Sequence, residues 1–99
     1  MTTPEGKMKD KIKKLLHRYK VYFHMPVQNG MGAPTLDFIC CHWGFYIGIE
    51  AKAPKKDLTD RQYITKGEIE NAGGIVLRVS SDEELDILEC YLQILEPSP

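Results

Sequence analysis

Asp37, Glu50 and Lys52 are the residues whose types and spacing can do chemistry. Glu50 and Lys52 close the segment IGIEAKAP, an apolar run that reads as a strand yet carries a carboxylate and an ammonium two residues apart. Residues two apart in a strand share a face, so the pair stands side by side, in line with Gly48 and Tyr46. Asp37 opens the preceding strand, LDFICCH, and Trp43-Gly44 is hairpin spacing between the two. Symmetric counting about that turn sets Asp37 opposite Glu50, with Cβ atoms roughly 5 Å apart. Carboxylates that close repel one another unless a positive charge lies between them. Mg2+ is an economical answer, because it binds hard oxygens and often takes only one or two carboxylates, leaving room for waters and a substrate phosphate. The backbone carbonyl of Ala51 offers a third ligand, and Lys52 can orient or deprotonate a water and stabilise charge on the phosphate. Glu-x-Lys alone is common, and reads equally as an exposed ion pair of little energetic worth.

What gives the three residues meaning is the set of elements that must position them. Thr3-Pro4-Glu5 supplies a hydroxyl cap, a proline for the first turn and an early carboxylate, and Met8, Ile12, Leu15, Leu16 and Tyr19 recur at helical spacing. The pattern predicts a helix from Pro4 to Lys20. Val21–Val27 reads as a strand that Pro26 ends or pushes to an edge, and residues 28–35 as a flexible loop. Leu36–His42 and Phe45–Lys52 form the hairpin. Residues 53–58 make a polar loop, and Thr59-Asp-Arg-Gln62 matches a capping box for a helix ending near Asn71-Ala-Gly-Gly74. Ile75–Ser80 is a short buried strand, which the intervening helix should make parallel to Phe45–Lys52. Ser81-Asp-Glu-Glu84 is a second capping box, and Leu85, Leu88, Leu92 and Leu95 stripe the last helix. The order is α-β-β-β-α-β-α, a small mixed sheet flanked by helices in one domain over residues 1–99, with 96–99 a loose tail.

Composition bounds the function classes. With 42% hydrophobic and 27% charged residues, and no apolar run near the ~20 residues of a membrane span, a soluble cytoplasmic protein without membrane attachment is expected. Met1–Lys20 is polar and lysine-rich and has no signal-peptide pattern. The odd cysteine set, Cys40, Cys41 and Cys90, reads as reduced and buried. A zinc site from Cys40, Cys41, His42 and His24 lacks a CxxC, and its adjacent cysteines point to opposite strand faces. His24 and His42 read as strand residues at an edge, and Trp43 and Tyr46 as core or hairpin-tip aromatics. Net charge is −1, but Met1–Lys20 is basic and the chain after Gly67 acidic, which suggests one face for a polyanion and another turned away. Lys7, Lys11 and Lys14 of the first helix, with Lys55, Lys56, Arg61 and Lys66, are the candidate phosphate contacts.

Asp37 followed by Glu50-Ala-Lys52 on this element order resembles the PD-(D/E)xK nuclease superfamily, with its restriction-endonuclease-like αβββαβ core and here an extra C-terminal helix. More narrowly, GAPTLDFICCHWGFYIGIEAKAPKKDLTDRQYITKGEIENAGG is similar to the VRR-NUC domain, including its small stand-alone bacteriophage forms, over a span from Glu5 to about Leu85. The resemblance implies metal ligands at Asp37 and Glu50, a catalytic Lys52, a supporting Gln62 and a contributing acid at Glu5. Gln62 also stands on its own spacing, near a helix N-terminus from which it can reach a phosphate or a water on the metal. Glu5 reads equally as a helix-dipole partner. The motif's Pro-Asp is spread here as Pro34-Thr-Leu-Asp37. The implied activity is Mg2+- or Mn2+-dependent endonucleolytic hydrolysis of DNA. Branched substrates such as Holliday junctions are implied, with a homodimer to pair the cuts. The alternative is a non-catalytic DNA- or protein-binding module on the same fold.

Overall fold

The first helix starts where its residue types require. In the computed structural model, which describes residues 3–27 and 35–98, Thr3 caps α1 (Pro4–Arg18) by accepting the Gly6 N–H at 3.0 Å. Met8, Ile12, Leu15 and Leu16 are buried. The helix stops short of the expected Lys20 because Lys20 takes a left-handed φ of 58°, and the Lys20 and Val21 N–H groups turn back to the His17 and Leu16 carbonyls. The Pro34 position and most of the 28–35 loop lie outside the described residues.

Among the described residues four strands follow the expected order, each shorter than its sequence pattern. They are β1 (Tyr22–His24), β2 (Phe38–His42), β3 (Phe45–Ala51) and, after helix α2 (Asp60–Asn71), β4 (Ile75–Val79). The sheet runs β1-β2-β3-β4, with β3 and β4 parallel and the other neighbours antiparallel. β1 loses Val21, whose N–H belongs to the helix cap, and stops before Pro26, which has no N–H to give. The β2–β3 turn is at Trp43-Gly44, where φ values of 53° and 86° match the hand of turn that a twisted hairpin needs. That turn sets the register Phe38↔Ile49 through His42↔Phe45.

One sheet face carries the core: Phe38, Cys40, Ile47, Ile49, Ala51 and Val79 pack against α1 and against Leu88 and Leu92 of α3 (Asp82–Leu95). The other face receives α2, which buries no side chain fully. Gly48 lets it approach, since a Cβ there would meet Leu36 Cδ1 at 2.8 Å and Ile69 Cδ1 at 3.5 Å. β4 is an edge strand and only Val76 and Val79 in it are buried, so the expected buried strand is half-buried.

Several expectations change in three dimensions. Cys40 is buried, but Cys41 and Cys90 are exposed, Cys41 because its side chain leaves the opposite face of β2 from Cys40. His42 is not at an edge: it sits in an inner strand, 3% exposed, its Nε2 donating to the Leu92 carbonyl at 3.0 Å. Basic α1 does not face away from the acidic chain end but lies against α3, with Lys11 Nζ 2.7 Å from Asp82 Oδ1. Ser81 caps α3 by accepting the Glu84 N–H, yet Glu84 completes no box, because its carboxylate binds Ser80 and Arg78 instead.

Candidate active site

The acid pair forms where the hairpin ladder ends. Continuing the β2–β3 register one step sets Asp37 opposite Glu50, on the α2 face of the sheet. The two then exchange backbone for side chain: the Asp37 N–H donates to Glu50 Oε1 at 3.1 Å, and Asp37 Oδ2 accepts the Ala51 N–H at 3.0 Å. This exchange is why β2 begins at Phe38 rather than Leu36. Lys52 N–H donates to Val79 at 3.0 Å, so the Lys52 amide faces β4 while the Ala51 amide faces Asp37. The Ala51 carbonyl shares that edge of β3, as the candidate third ligand requires.

α2 delivers the next side chain. Thr59 and Gln62 form the reciprocal capping box: Gln62 Oε1 accepts the Thr59 N–H at 2.9 Å and Thr59 Oγ1 the Gln62 N–H at 3.2 Å. The Gln62 amide nitrogen is then aimed at Glu50 Oε2, at 2.8 Å. One amide therefore fixes both the helix start and the Glu50 carboxylate.

Glu50 is only 4% exposed. Burial first, and then the negative charge of Asp37, pushes its carboxyl up to about 7. Lys52 Nζ stands 3.8 Å from Glu50 Oε2, and on the other side Lys9 Nζ stands 3.6 Å from Asp37 Oδ1. Both separations are ion-pair contacts longer than a hydrogen bond. Two carboxylates facing each other across the hairpin end, one of them buried, form a hard-oxygen donor set that fits a divalent cation with one or two protein carboxylates.

The structure thus brings together Asp37, Glu50, Lys52, Gln62 and the Ala51 backbone. It does not bring Glu5 into the acid pair: Lys9 stands between, 3.8 Å from Glu5 Oε2, and among the described residues no cluster of three or more His, Cys, Asp or Glu side chains surrounds one point. Of the candidate phosphate contacts, Lys7, Lys14, Lys55, Lys56 and Arg61 are exposed, while Lys11 pairs with Asp82 and Lys66 with Glu70 at 3.0 Å. Lys9 is the site residue that reading the sequence misses. Its one signal is the i, i+4 spacing from Glu5, which places both on one helix face. A groove of about 480 Å³ between α2 and the sheet is lined by Thr35, two residues from Asp37, and by Tyr46, Thr65 and Ile69. No family model, curated protein or solved structure matches the chain.

Proposed function

We propose that this chain is a metal-dependent DNA endonuclease of the PD-(D/E)xK type, allied to the VRR-NUC domain. The observation that carries this reading is the contact of Asp37 with Glu50 across the hairpin end, with Lys52 on the Glu50 side and Gln62 bonded to Glu50. Asp37, Glu50 and the Ala51 carbonyl would hold Mg2+ or Mn2+. Such an ion supplies positive charge at the phosphate and lowers the pKa of water.

The chain's own residues do the rest. The Ala51 N–H holds Oδ2 of Asp37, and Oδ1 faces the Lys9 ammonium at 3.6 Å. Gln62 fixes the rotamer of Glu50, a positioning role that its backbone cap makes rigid. The Lys52 ammonium, on a side chain 13% exposed, is placed to meet negative charge developing on a phosphoryl oxygen and to hold or pass a proton at the attacking water. Exposed Lys55, Lys56 and Arg61, on the loop and helix next to the pair, would contact the flanking phosphates. These contacts carry no base information, which favours recognition of DNA shape, branched DNA included, over sequence. Paired cuts in a junction would require a homodimer. Exposed, free Cys41 and Cys90 suit a reducing cytoplasm.

Asp37→Ala, Glu50→Ala and Lys52→Ala should each abolish cutting of a labelled four-way junction in Mg2+ while circular dichroism stays native. Retained cutting in all three would sink the reading. Metal-independent binding with no cutting of any branched substrate would point to the binding module instead.

A further inference from the structure

We propose that Lys9 is a resident counter-cation of the acid site, holding the place that a divalent metal ion takes. The inference rests on reading Asp37 and Glu50 as cation ligands, and adds a residue to that reading. Asp37 has two carboxylate oxygens, and the Ala51 N–H occupies Oδ2. Among the described residues Oδ1 is therefore the oxygen left for a cation, and the Lys9 ammonium lies 3.6 Å from it.

The same ammonium lies 3.8 Å from Glu5 Oε2, so Lys9 bridges the acid pair and the α1 carboxylate. Three features suit a displaceable charge rather than a fixed one. Both contacts are longer than a hydrogen bond, so no directional bond is lost when Lys9 leaves. The Lys9 side chain is 32% exposed, against 12% for Asp37, so the ammonium can move out into water while the carboxylate stays in place. Its flexible four-carbon stem rises from a helix, and can swing while the backbone stays in place.

The consequence is competition. In the absence of metal, Lys9 relieves the repulsion between Asp37 and Glu50. A metal ion entering at Oδ1 must then displace one positive charge, which weakens metal binding and leaves the released ammonium beside the site.

The test is calorimetric titration of Mn2+ into the full chain without DNA, in wild type, Lys9→Met, Lys9→Gln and Lys9→Arg, with Asp37→Asn as control. Removing the charge with Met or Gln should tighten Mn2+ binding about tenfold, the scale of one partly buried charge contact. Arg should restore wild-type affinity, which a purely structural role for the side chain would not require. Gln keeps the polarity of the site, so a folding defect in the Met variant leaves the comparison decidable. Equal or weaker Mn2+ binding in the Gln variant would overturn the role of Lys9 and leave the metal reading in place. Absence of Mn2+ binding in every protein, the control included, would overturn both.

Discussion

Glu50 holds its charge at a cost set by its surroundings, and that cost has a sign. Its folded carboxyl titrates at about 7, against 4.5 for an unburied glutamate, because burial and Asp37 both oppose ionisation. Between those two values the folded chain keeps a proton that the unfolded chain has released. Stability therefore falls as pH rises through this window, and the loss is complete above about 7. Glu50→Gln should raise the melting temperature at pH ~8 and change it little at pH ~4. Melts at both pH values check this, and an unchanged or lower midpoint at the higher pH would contradict it. Gln62 permits a second test, because it serves the cap and the site through different atoms. Gln62→Glu keeps a box-forming residue, yet puts a carboxylate beside Glu50, so it should destabilise the metal-free protein more at high pH than at low. A pH-independent loss would mean that the cap alone had failed.

At the scale of elements, helix and strand ends depend on where single backbone groups find partners. Lys20 occupies the left-handed position that closes α1, where glycine is favoured. Lys20→Gly should therefore stabilise by about 0.5–1 kcal/mol, the left-handed penalty of roughly 1–2 kcal/mol less the entropy that glycine adds to the unfolded chain, measured by urea unfolding; destabilisation would mean that the Lys20 side chain makes a contact outweighing the strain. The element order, the parallel crossover and the hairpin register were legible because they rest on local signals: caps at Thr3, Thr59 and Ser81, and a turn at Trp43-Gly44. Asp37 opposite Glu50 followed from that turn alone. What stayed hidden depends on side chains replacing backbone or on packing between distant elements. The Asp37 N–H leaves the ladder for Glu50, which shortens β2, and Glu84 passes over its own cap for Ser80 and Arg78. His42 is buried by its bond to Leu92, fifty residues on. Lys9 resembles any solvated helix lysine until α1 is laid beside the hairpin end.

At the scale of the whole molecule, charge is arranged more locally than its distribution along the chain implies. Lys11 meets Asp82 where α1 packs on α3, so α1 presents less free positive charge than its composition promises. The exposed lysines nearest the acid pair in sequence are Lys55 and Lys56. Lys55→Ala with Lys56→Ala should weaken junction binding and reduce the salt dependence by up to about two phosphate contacts, read as the slope of log affinity against log salt. An unchanged slope would place the DNA elsewhere on the surface. The central claim, that the hairpin-end acids and Lys52 cut DNA with a metal ion, is tested most directly by cleavage of a labelled panel. Linear duplex, flap, fork and four-way junction would be incubated with wild type or Lys52→Ala in Mg2+, Mn2+ or EDTA. The wild type should cut in metal and not in EDTA, the variant should not cut, and a branched substrate should be cut best. Binding without cutting, equal in both proteins, would contradict it.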